Sequence, residues 1–220
     1  MQNSIKMLNL IKKVFGKGKA GCSSIQCTNN TENQQQPQIK GKIYWATRNL
    51  EDNLKVVGNH HLILVELDNK SACEELKKEG ITYQEENGKY FFTMAAFGNN
   101  GRLQYEPNNK ADVKAVKEYF NPNTSWYEPD FDLEIHEVKL PTKYSDEDEF
   151  IKQLISSAKN YTKNEAEDNV TYFVLDENCA AWVNSLFKAT GVDDETRIKK
   201  GEFGGTDWGE EDELSSSLFN

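Results

Sequence analysis

The sequence predicts an α+β fold in which an antiparallel sheet packs against helices on one side. Three features carry that expectation. "KIYWAT" and "HHLILVEL" (60–67) are β-rich runs of strand length, the second with four consecutive apolar residues, Leu62 to Val65, shortly before "DNK". "ITYQEENGKYFFTMAAF" reads as a hairpin, two such runs around Glu86-Asn87-Gly88. The segments after Ser145 and after Asn178 instead repeat apolar residues at helical spacing.

The elements follow in order. Residues 1–16 form a basic leader in which Ile5, Leu8, Ile11 and Phe15 recur at helical spacing, a short amphipathic helix suited to capping the domain, a membrane surface or a partner. Residues 17–41 are rich in Gly, Ser, Asn and Gln, with almost nothing to bury, and read as a flexible linker. The folded body spans 42–200. After its first two strands come a short helix at 71–79, the hairpin, a helix over "ADVKAVKEYF" and a loop with prolines at 122 and 129. "DLEIHEVKL" alternates acidic and apolar residues as a half-exposed strand does. The longest helix follows, with Ser145 as N-cap, Asp148 three residues on, and Phe150, Ile151, Leu154, Ile155 and Ala158 as its apolar face. "VTYFVL" (170–175) is an extended run leading into a helix that opens at Cys179 and ends at Gly191. Residues 201–220 are an acidic tail in which Trp208 and Phe219 are the candidate anchors.

Charge narrows the function classes. The net charge is −10, yet residues 1–31 carry five lysines and no acid, so the remainder stands at −15. Such a body is unsuited to general nucleic-acid binding. No run approaches eighteen apolar residues, so no transmembrane helix is expected. Lys6, Lys12 and Lys13 interrupt the leader, so no conventional export signal is expected.

Of the four cysteines, Cys22 and Cys27 lie in the polar linker and Cys73 in a helix, with no zinc-finger spacing among them. Cys179 is placed differently. Asn178 is a favourable N-cap, which puts the thiol in the first turn of a helix, where unpaired N–H groups and the helix dipole stabilise an anion. A thiol there is drawn toward thiolate. The amides of Cys179 and Ala180 are the expected oxyanion donors. The competing reading is a buried, inert cysteine, since Trp182 and Val183 share its face.

A cysteine nucleophile needs a base. His60 and His61 begin the strongest strand, and because adjacent strand residues point to opposite faces, at most one of them can face Cys179. His136 sits between acids on a half-exposed strand and reads as a surface residue. A zinc site from His60, His61 and Cys179 is disfavoured, because neighbouring strand residues chelate one metal poorly. No metal and no cofactor are expected. Glu66 shares parity with His60 but lies about 20 Å along the strand. Asn99 or Asn100, after "YFFTMAAFG", is the candidate group to orient the histidine.

"NHHLILVEL" followed much later by "NCAAWVNSLF" resembles the circularly permuted branch of the papain-like NlpC-type cysteine hydrolases, in which the histidine strand precedes the cysteine helix. His60 falls at the family's histidine place, while Leu62 stands where a small residue is usual and keeps His61 as the alternative. The resemblance covers the order of elements over roughly residues 42–191 and rests on those two motifs. It implies a permuted papain-like fold and a Cys/His dyad that cleaves an amide. The substrate it implies first is the peptide stem of peptidoglycan, cut by an antibacterial effector of the type VI secretion kind. Such an effector is made in the bacterial cytoplasm without a cleavable signal, acts in the target-cell periplasm, and meets a secretion-apparatus component and a cognate immunity protein. A lipid acyl hydrolase or acyltransferase, or a protein deamidase, would use the same dyad. A binding module with an inert Cys179 is the non-enzymatic alternative.

Overall fold

A computed structural model describes residues 38–50, 59–121, 131–168, 170–172, 178–197 and 212–220. The described residues belong to one compact unit, Gln36–Asn220. The leader, most of the linker with Cys22 and Cys27, the proline-containing loop, residues 173–177, and Asp207 and Trp208 lie outside the described residues.

The fold is α+β, built on a six-stranded open antiparallel sheet. Strands β1 (Gly41–Asn49), β2 (Asn59–Leu67), β3 (Gln84–Glu86), β4 (Lys89–Asn99), β5 (Arg102–Pro107) and β6 (Leu133–Glu137) run in the order β3-β4-β2-β1-β6, with β5 also on β4. The described α-helices are α1 (Lys70–Lys78), α2 (Lys110–Phe120), α3 (Glu147–Asp168) and α4 (Cys179–Ala189). No described helix is long and apolar enough to cross a membrane.

The central strands are buried on both faces, and their alternation feeds two cores. Trp45, Ile63, Val65, Phe92 and Met94 point to the side covered by α1, α3 and α4, where Phe150, Leu154, Tyr161, Trp182 and Phe187 complete the larger cluster. Tyr44, Ala46, Leu62, Leu64, Phe91 and Ala95 point the other way, onto Val116 of α2. Helices on one side only is therefore corrected: α2 covers the second face. Its Val113 and Val116 supply the apolar surface that the even-numbered residues of β2 require.

Strand β5, absent from the sequence reading, is the second correction. Asn100 and Gly101 both adopt positive φ (51° and 77°) in the tight turn that returns β4 into β5. An Asn-Gly pair is the turn that a two-residue hairpin favours, and that was its available signal. The α3 cap is also shifted by one residue. Asp146 Oδ1 accepts the Glu149 N–H at 3.0 Å, while Ser145 instead donates to Glu149 Oε2. The end of the chain packs inward: Phe219 stacks on Tyr161 at 5.3 Å and Leu218 is buried.

Candidate active site

The β2–β4 ladder runs from Leu67↔Tyr90 to Ile63↔Met94 and stops, whereas β2 stays paired with β1 as far as Asn59. The first residues of β2 therefore have β1 on one side and an opening on the other. Helix α4 places its first residue in that opening: the His61 backbone N–H donates to Cys179 Sγ at 3.5 Å. An amide that another strand would have taken is turned to the sulfur. The gap also lets a thiol from the α4 layer reach the imidazole of His60, whose parity belongs to the opposite face.

Asn178 starts α4 as expected, its side-chain oxygen accepting the N–H groups of Ala180 (2.9 Å) and Ala181 (3.1 Å). At the other end Val192 N–H reaches Phe187 O, and Gly191 takes the left-handed conformation (φ 83°) that closes the helix. The cap corrects one expectation: the Ala180 amide is spent on Asn178 and is not directed at an oxyanion. The Cys179 amide is not used by the cap.

His60 is buried and stacks on Phe97 with ring centroids 4.4 Å apart, which limits rotation of the imidazole. Its Nε2 lies 3.4 Å from Asp112 Oδ1, an ion-pair contact rather than a well-aligned hydrogen bond. The imidazole is also coupled to the Cys179 thiol by charge and hydrogen bonding. Asp112 is fully buried and also accepts from Arg48 Nε at 2.7 Å.

These neighbours set the protonation states. Burial disfavours the His60 cation, but the Asp112 carboxylate and the Cys179 thiolate outweigh it and push its pKa up to about 9. Burial likewise pushes the Cys179 thiol up, and His60, joined by the His61 N–H, more than reverses it, leaving Cys179 below a free thiol. Burial also opposes ionisation of Asp112, yet His60 and Arg48 hold it below the usual carboxylate range. These shifts all favour the charged forms, thiolate beside imidazolium beside carboxylate.

Of the sequence candidates, the structure brings together Cys179 and His60. His61 is not the partner imidazole. It faces the larger core, where Nδ1 accepts from Trp45 Nε1 at 2.9 Å, while its backbone N–H donates to the sulfur. Asn99 does not orient His60: its side chain donates to Gln104 across the β4–β5 hairpin at an exposed position. Asn100 is a turn residue with φ 51°. His136 is exposed. The acid in charge contact with His60 is Asp112, from a helix and not a strand. It occupies the third helical position after the Asn109 cap, where an acid is ordinary because the helix dipole favours it. Nothing local in the sequence marks that acid as turned inward.

The thiol side of the sheet has one more feature. Gly98 shares parity with Met94 and Ala96, and a Cβ there would lie 2.7 Å from the ring of Tyr172. The absent side chain lets the tyrosine lie against β4. Burial, reinforced by the Cys179 charge, keeps its phenol protonated well past neutral pH.

Comparison with known protein families, with curated proteins and with solved structures found no match. The chemistry is therefore read from the site. A thiolate paired with an imidazolium can attack an acyl carbon and protonate the group that leaves. Cys73 is a built-in control: it is wholly buried in the larger core, and burial pushes its thiol up to about 11. Iodoacetamide near pH 7 is expected to label Cys179 at least tenfold faster than Cys73 in the folded protein. Peptide mapping measures this, and equal rates would return Cys179 to the inert class.

Proposed function

We propose that this chain is a cysteine hydrolase that cleaves an amide through a Cys179–His60–Asp112 triad, arranged in the order of the permuted papain-like enzymes. The observation that supports it is the charge relation among the three side chains: buried His60 interacts with both part-exposed Cys179 and buried Asp112, and its pKa is raised by both. The Cys179 thiolate attacks the carbonyl carbon, and the tetrahedral intermediate collapses to a thioester as His60 passes its proton to the departing amine. Neutral His60 then takes a proton from water as that water attacks the thioester. The carboxylic acid product leaves, and thiolate and imidazolium are restored.

The substrate we propose first is the peptide stem of peptidoglycan, with delivery to a target cell and a cognate immunity protein as the corresponding biology. The resemblance of "NHHLILVEL" and "NCAAWVNSLF" supports that choice. Digestion of purified peptidoglycan followed by mass spectrometry of muropeptides is the test. New stem-peptide termini with the native protein, and none with Cys179→Ala, are the expected result. Intact muropeptides alongside hydrolysed phospholipid vesicles would move the same triad to an acyl-ester substrate.

The charge states predict the pH profile. Acylation needs Cys179 ionised and His60 protonated, so kcat/KM rises as pH passes the lowered thiol pKa and falls as pH passes about 9, where His60 loses its proton. A stopped assay from pH 5 to 10.5 checks this. A falling limb near pH 6.5, the value of an unperturbed histidine, would contradict the triad.

A further inference from the structure

Arg48 is buried beside the triad, and the chemistry above gives it no part. It sits directly across from His60 in the β1–β2 ladder, so the two side chains share a face. Among the described residues, three contacts hold it: Nε to Asp112 Oδ1 at 2.7 Å, Nη1 to Asn49 O at 3.1 Å, and the Phe131 ring 5.0 Å from its guanidinium carbon. Arg48 and His60 thus approach the same carboxylate oxygen from adjacent strands.

We propose that Arg48 is a positioning residue that acts through Asp112, keeping that carboxylate ionised and aimed at His60 through both halves of the reaction. The inference rests on the triad reading. In the resting state the negative charges are those of part-exposed Cys179 and buried Asp112, against buried His60 and Arg48, both positive, and they cancel. After acylation the thioester is neutral and His60 has given its proton to the amine; Asp112 and Arg48 remain, and they cancel again. Without Arg48 the site carries an uncompensated negative charge at every stage. A buried carboxylate in that position takes up a proton. A neutral Asp112 no longer favours the imidazolium, so His60 becomes a weaker base when water must be deprotonated.

Among the described residues, the surrounding groups leave this role to Arg48. Asp112 is faced by Arg48 from β1 and His60 from β2, with Cys179 beyond from α4. Lys114, on the helix of Asp112, lies 5.5 Å from the Phe131 ring centroid, and Tyr172 is coupled to Cys179. His61 is bonded to Trp45. An arginine suits the place better than a lysine, because its planar fork serves carboxylate, carbonyl and ring together.

The experiment compares pH–rate profiles of the native protein with those of Arg48→Met, Arg48→Lys, Asp112→Asn and the Arg48→Met/Asp112→Asn double variant. Arg48→Met is expected to lower kcat roughly tenfold or more and to move the alkaline limb down by about one pH unit, toward the Asp112→Asn profile. Arg48→Lys returns the limb toward its native position, because the charge is restored. In the double variant Arg48→Met adds little to Asp112→Asn, as a residue acting through that carboxylate requires. The double variant removes both buried charges together, so it also serves where Arg48→Met alone fails to fold. A folded Arg48→Met with the native alkaline limb, a lysine variant as shifted as the methionine one, or additive effects in the double variant would overturn the role. Failure of the triad itself is distinguishable, because it shows as slow alkylation of Cys179 in the native protein.

Discussion

Cys179→Ala is expected to reduce hydrolysis to background, a fall of roughly 10⁴-fold or more, because removal of the nucleophile leaves only binding and electrostatic contributions. The fold should survive. Helix α4 is held by Trp182, Val183, Leu186 and Phe187 in the core and by the Asn178 cap, none of which needs the sulfur. Alanine is also a better helix former than cysteine. His60→Ala should lose activity to a similar degree for a second reason: Cys179 then keeps the burial penalty without the cation that offsets it. Its thiol pKa must rise, and its alkylation near pH 7 must slow. Unchanged circular dichroism with lost turnover is the expected pair of results. Turnover at native rate in either variant would remove the dyad from the chemistry.

Asp112→Asn is the second large effect, and it separates catalysis from stability. An amide at that position is isosteric but carries no charge, so His60 loses one of the two anions that raise its pKa. Hydrolysis is expected to fall by roughly 10²- to 10⁴-fold, with the alkaline limb moving below about 9. Stability should fall as well. Arg48 is only 4% exposed, and removing one partner of a buried ion pair costs about 3–5 kcal/mol because the other charge stays desolvated. Urea titration and the pH–rate profile measure the two consequences separately. A variant of native stability and native limb position would show that Asp112 neither anchors Arg48 nor supports His60.

How much of this was legible beforehand differs between elements for identifiable reasons. Helix α4 was readable to the residue. Its Asn178 cap, apolar face and Gly191 terminus are local signals, each read within a few positions of chain. The start of β2 was readable as a strand carrying two histidines, and alternation alone dictated that only one could meet the thiol. The choice between them was not available from alternation. It depended on where the β2–β4 ladder stops, which is a property of two strands some thirty residues apart. The side of the sheet that α2 covers is likewise a question of packing. Val113 and Val116 look the same in sequence whichever face they bury. A strand returning antiparallel after "YFFTMAAFG" would bring Asn99 or Asn100 toward His60, but the hairpin carries the Asn99 side chain outward to Gln104.

By itself the sequence determined the α+β class, the helix that begins with a thiol, the histidine strand before it and the capping that joins thiol to helix. All of these are set by short-range periodicity and by side-chain-to-backbone bonding. Only the tertiary structure decided that His60 rather than His61 meets the sulfur, that Ala180 is spent on its cap, and that Asp112 and Arg48 complete the charges. Those outcomes depend on which backbone amides two layers leave unpaired and on which ions must cancel once water is excluded. Neither is written in any single stretch of chain.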